Sequence, residues 1–161
     1  MDAIGPIKPP SSAYHEYILI ATYYFTKWVE VQAFKSLNTR AIILFLKEKI
    51  FTRYGIPDSI TVDQATMFTA HEFNSYLKEF EIQKIHSIPY FAQANGKAKA
   101  TNKVICKGIA KMVDENPKNW HVLLHLLLRH IEHQKEMQFG LPLTNWYIGM
   151  NQLYCTSIAE R

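Results

Sequence analysis

Tyr17-Ile18-Leu19-Ile20-Ala21-Thr22-Tyr23 is a β-branched and aromatic run of strand length, and Trp28-Val29-Glu30-Val31-Gln32-Ala33 alternates apolar and polar residues at period two. Two neighbouring strands are predicted. Upstream, the first sixteen residues are rich in Pro, Ser and Gly, so beyond a stub at Met1 to Ile4 they read as a loop. Downstream, Asn38 or Thr39 caps a helix whose apolar positions Ala41, Ile42, Phe45, Leu46 and Ile50 recur at three and four, ending at Gly55 before Pro57. Ser59 to Asp63 is a short strand. Thr69 and Glu72 then stand at capping-box spacing ahead of a helix with Phe73, Tyr76, Leu77 and Phe80 on one face. A strand at Ile82 to Ser87 and a loop at Ile88 to Ala94 lead to Asn95, which caps a long helix through about Asp114 with Val104, Ile105, Ile109, Met112 and Val113 on its apolar side. Asn116-Pro117 breaks it, and a Leu-rich helix from about Asn119 to Met137 closes at Gly140 and Pro142. The order stub, β, β, α, β, α, β, α, α predicts an α/β domain with a mixed sheet and no internal repeat or linker.

Composition agrees with that reading. At 161 residues, with 48% hydrophobic and 20% charged, the chain has the apolar content to close one core, which excludes a disordered tail. No apolar run approaches the roughly 18 residues of a membrane span, so no membrane partner is expected. The start has neither the basic nor the apolar region of a secretory signal. Cys106 and Cys155 stand far apart with no C-x-x-C pair, and they read as free thiols of a reducing compartment. A formal charge of +4 permits nucleic-acid binding without requiring it.

Several separated motifs, in register, carry a resemblance. Met1-Asp2-Ala3-Ile4-Gly5-Pro6-Ile7, the run Tyr17 to Glu30, Tyr54-Gly55-Ile56-Pro57, Thr61-Val62-Asp63-Gln64, Met67-Phe68, Pro89-Tyr90, Ala92-Gln93-Ala94-Asn95-Gly96 and Asn102-Lys103 stand in one order. In that order they resemble the integrase catalytic core of plant Ty3/gypsy-type retrotransposons, within the retroviral integrase superfamily. The resemblance covers nearly the whole chain and is weakest after Gln134. It implies an RNase H-like fold, a mixed five-stranded sheet flanked by helices with its first strand truncated. It also implies one core domain over residues 1–161 without the family's zinc-binding and DNA-binding flanking domains. The implied activity is Mg²⁺-dependent polynucleotidyl transfer, the trimming of DNA 3′ ends and their joining to target DNA, by three carboxylates holding two Mg²⁺. DNA is the implied partner, with a homodimer and a nuclear location.

Carried over residue by residue, the first carboxylate falls on Asp2 and the second on Asp63, the two implied metal ligands. The third falls on Lys99. Thirty-five residues lie between Asp63 and Lys99, which is the family's spacing, so no shift of register restores the glutamate. An ammonium for a carboxylate changes the local charge by two units, and at about 4 Å with an effective dielectric near 20 each unit pair is worth roughly 4 kcal/mol. The copy is therefore expected to be catalytically degenerate. Tyr23 stands where the family has Asp, and Asp63-Gln64-Ala65-Thr66 where it has Asp-Gln-Gly-Ser, which removes a turn glycine.

Lys99, Lys103, Lys107 and Lys111 recur every four residues with Lys97 near the start, so they form one basic stripe. It reads either as a solvated face or as a DNA phosphate track. His121 and His125 stand four apart, and His130 and His133 three apart, which is compatible with zinc as well as with ordinary helix-face residues. Two further function classes stay open: a non-catalytic DNA- or protein-binding module, and a decayed reading frame that folds poorly.

Overall fold

The structure is a computed structural model that describes residues 1–23, 28–86 and 106–139, with side chains as far as residue 129. All five expected strands are present: β1 (Asp2–Ile4), β2 (Tyr17–Thr22), β3 (Val29–Phe34), β4 (Ser59–Val62) and β5 (Gln83–His86). The first three form an antiparallel meander with Asp2 opposite Ile20 and Ile20 opposite Val31, whereas β4 and β5 pair in parallel with Val62 opposite His86. A hydrogen bond joins the two ladders. Met1 donates its terminal ammonium to the Thr61 carbonyl at 2.5 Å, which sets the short β1 beside β4.

Period two explains why β2 is buried on both faces. Leu19 and Ala21 join the core of Ile42, Phe45, Leu46, Ile50, Ile60, Val62, Phe68, Phe73, Leu77 and Ile82. Ile18 and Ile20, which point the other way, are just as inaccessible. Gly5 lies where the chain leaves β1: its φ is +144°, and a Cβ there would stand 2.6 Å from Cδ1 of Tyr17 and 2.7 Å from the Glu16 carbonyl. Only a residue without a side chain fits that approach.

Between β3 and β4 the expected single helix is interrupted. The helix α1 (Thr39–Phe45), with the Asn38 side chain accepting from Ala41 N at 2.9 Å, widens into a π-helical segment, Leu46–Phe51, before a last turn α2 (Thr52–Tyr54). The Thr52 hydroxyl donates back to the Glu48 carbonyl at 2.6 Å, a contact that bends helices. Arg53 and Tyr54 are meanwhile drawn onto Glu30 of β3. Gly55 ends the run at φ +79°.

The capping box at Thr69 and Glu72 does not form. A short α3 (Thr66–Thr69) precedes α4 (His71–Glu79), the residue before α4 is Ala70, and no side chain caps it. The Thr69 hydroxyl instead donates to Thr66 O, and Glu72 pairs with Arg40 at 3.4 Å. After β5, the expected loop Ile88 to Ala94 and the start of the long helix lie outside the described residues. Its end is α5, over residues 106–115, and α6 (Trp120–Phe139) follows the Asn116-Pro117 break as expected. Two compact units divide the chain, Met1–Leu124 and His125–Arg161; the first holds every described strand and the start of α6, and the second the rest of that helix. Among the described residues no helix is long and apolar enough to cross a membrane.

Candidate active site

The expected carboxylates come from neighbouring strands. Asp2 lies on β1, whereas Asp63 directly follows Val62 at the end of β4, and the Met1–Thr61 hydrogen bond sets the two strands side by side. Each carboxylate is half-buried and held by its own backbone: Asp2 Oδ1 accepts from Ala3 N at 2.9 Å and Asp63 Oδ1 from Ala65 N at 3.0 Å. Both act electrostatically on one cation, the Met1 ammonium. Burial lowers that group's pKa, and the negative charges of Asp2 and then Asp63 oppose the shift. The turn after Asp63 closes although Ala65 stands where the family has glycine, because Ala65 takes an extended conformation at φ −60° and ψ 144°.

A third group reaches this locus from α5. Burial first, and then the charge of Asp2, raise the pKa of the Cys106 thiol on α5. Lys99 and the other basic positions Lys97 and Lys103 lie outside the described residues. Lys107 and Lys111 are exposed on α5, one turn apart, and Lys111 is 3.8 Å from Glu115. Of the donors an Mg²⁺ ion prefers, the described site supplies two hard carboxylates. Among the described residues no group of three His, Cys, Asp or Glu is placed to hold a metal. These two carboxylates fit the ion in kind, and the third position of the resemblance lies outside the described residues.

The zinc-compatible histidine spacing meets a different arrangement. His121 lies against His15, with ring centroids 4.9 Å apart, whereas His125 is exposed and the side chains of His130 and His133 are outside the description.

Sequence reasoning missed a buried carboxylate cluster. Glu30 is 8% exposed, and its Oε1 accepts from Arg53 Nη1 at 2.9 Å, the Tyr54 hydroxyl at 2.6 Å and Trp28 Nε1 at 3.3 Å. Burial and Glu30 together push the Tyr54 hydroxyl pKa far up. Trp28, Glu30 and Tyr54 all lie in the motifs that carried the resemblance, so part of that motif set is structural: it pins α2 to β3. The signal was present as a Glu on an alternating strand with an Arg-Tyr pair before a helix-ending Gly, but nothing local joins positions 23 residues apart.

No family model matches the chain. It is 33% identical over 124 residues to the Pro-Pol polyprotein of feline foamy virus, a stretch that covers 77% of this chain and 10% of that polyprotein. The chain thus spans about a tenth of the length of that relative. Its fold is similar to the catalytic core domain of BIV integrase, with a TM-score of 0.58 at 22% identity over 70% of this chain and 72% of that one. It is also similar to a chain of the simian T-cell lymphotropic virus intasome in complex with PP2A regulatory subunit B56 gamma, with a TM-score of 0.57 at 21% identity over 73% of this chain and 42% of that one. The architecture is that of integrase catalytic cores, an RNase H-like fold, and the likenesses in sequence and fold together support the retroviral integrase superfamily.

Proposed function

We propose that residues 1–161 form an integrase core-like domain of Ty3/gypsy retrotransposon descent that has lost phosphoryl transfer and kept binding to DNA. The observation that carries the proposal is the pairing of Asp2 and Asp63 on adjacent strands of this fold, set against a lysine at the position of the third carboxylate. Asp2 and Asp63 would hold one divalent ion. Such ions, bound in pairs, activate the attacking oxygen and stabilise the leaving one in phosphoryl displacement. With Lys99 in place of a carboxylate, the positive charge opposes a second ion, and at an effective dielectric near 20 that opposition is several kcal/mol. The backbone amides of Ala3 and Ala65 keep the two carboxylates oriented without a metal.

DNA binding in this reading rests on charge. Lys107 and Lys111 stand exposed on α5, the helix whose Cys106 feels the charge of Asp2, and neutralising a few phosphates gives sequence-independent, salt-sensitive affinity. A homodimer and a nuclear location belong to the same reading.

The test is strand transfer of a short 3′-recessed duplex in Mg²⁺ or Mn²⁺, by this chain and by Lys99→Glu. No product from the chain and product from Lys99→Glu is the expected result. Efficient transfer by the unaltered chain contradicts the loss of activity. Inactivity of both, with salt-dependent duplex binding retained, leaves the binding role standing and moves the cause of inactivity away from Lys99.

A further inference from the structure

We propose that the loop Ser11 to His15 presents Tyr14 as a stacking platform for an unpaired nucleobase, with the lysines around it taking the flanking phosphates, so that this surface binds single-stranded nucleic acid. It depends neither on the carboxylate pair nor on α5. The loop is a tightly bonded turn. Ser11, 3% exposed, anchors it: its amide donates to the His15 carbonyl at 3.0 Å, its carbonyl accepts from Tyr14 N at 2.8 Å and its Oγ accepts from His15 N at 3.1 Å. Tyr14 is held there at φ +61°, a left-handed conformation that a residue with a Cβ enters at a cost, and its ring is left 72% exposed. A large aromatic side chain on a strained backbone, open to solvent, gains little from packing, which is the pattern of a residue kept for a ligand.

The charge around Tyr14 selects the ligand. Three segments meet at this turn: Ser12 N donates to the Lys118 carbonyl at 2.7 Å, Glu16 N donates to the Phe34 carbonyl at 3.0 Å, and the His15 and His121 rings lie 4.9 Å apart. Residues 5–16, 34–37 and 116–121 together carry Lys8, Lys35 and Lys118, all exposed, against the single carboxylate of Glu16, which is half-buried. Burial first, and then His121 and Lys35, hold the His15 imidazole below its ordinary pKa, so the charge of Lys35 reaches into the turn. The acidic residues that precede the Asn116-Pro117 break are Asp114 and Glu115, and Glu115 is 3.8 Å from Lys111. An exposed ring among lysines matches the alternation of bases and phosphates along a single strand. An acidic peptide offers the charge without a flat face to stack, and the bases of a duplex are already stacked on one another.

The test follows the fluorescence anisotropy of a short labelled oligothymidylate as the full chain is added, beside the same backbone carrying abasic sites, over a range of salt. Saturable binding, tighter for the oligothymidylate than for the abasic strand, is expected. Tyr14→Gly removes the ring and suits the positive φ, so it should melt at or above the parent's temperature and yet bind the strand about fivefold or more weakly, the lower end of what base–aromatic stacking supplies. Tyr14→Trp should bind at least as well as the parent. Lys35→Gln combined with Lys118→Gln should flatten the salt dependence. No binding of the strand, equal affinity of Tyr14→Gly and the parent, or equal affinity for the two strands overturns the proposal. So does polyglutamate that competes as well as the strand, which would assign the surface to an acidic protein. A chain with Lys107→Gln and Lys111→Gln should keep its dependence on Tyr14, so a failure here is distinct from failure of duplex binding through α5.

Discussion

Asp2 and Asp63 could be singled out in the sequence because they sit in separated motifs of the resemblance, and the fold sets their strands side by side. Cys106 was not legible as a neighbour of Asp2. It is a single thiol on a helix face, and only the packing of α5 relates it to β1. Burial, and then the charge of Asp2, raise its pKa, and such a thiol carries little reactive thiolate at pH 8. In a Cys155→Ser background, Cys106 should alkylate with iodoacetamide more slowly than a free cysteine. Asp2→Asn removes a negative charge, lowers the Cys106 pKa and should speed the reaction several-fold, whereas Asp63→Asn should leave it near the parent rate. Equal rates in all three chains would separate Cys106 from Asp2.

At the scale of elements, periodicity placed β2, β3, β4 and α6 because each is long enough, or apolar enough, to show its repeat. The reading failed where tertiary contacts override local preference. Thr69 and Glu72 have capping-box spacing, but Thr69 is taken by the turn before it and Glu72 by Arg40. The π-helical segment was likewise invisible, since it reflects the Thr52 back-bond and the attachment of Arg53 and Tyr54 to Glu30. One Glu30 carboxylate oxygen, with two of its three donors on α2, ties that turn to β3. Glu30→Gln keeps the shape and removes the charge, so it should cost about 1.5–3 kcal/mol in urea unfolding, the worth of hydrogen bonds to a charged group. A change below about 0.5 kcal/mol would mean that apolar packing alone holds α2 in place.

For the molecule as a whole, the fold reads clearly and the chemistry reads through one substitution. Both faces of β2 are covered, the strand order is that of an α/β domain, and the similarity in fold to integrase cores follows from it. In the proposed reading, what that scaffold can do depends on the charge at its carboxylates, and a lysine at position 99 would oppose the ions the other two would hold. The most direct measurement is a calorimetric titration of Mn²⁺ and Mg²⁺ into the chain and into Lys99→Glu, with a short duplex present. The account predicts weak binding or none to the chain and a gain of at least tenfold in affinity for Lys99→Glu, abolished again by Asp63→Asn. Tight two-ion binding by the unaltered chain, or no gain on restoring the glutamate, would contradict it.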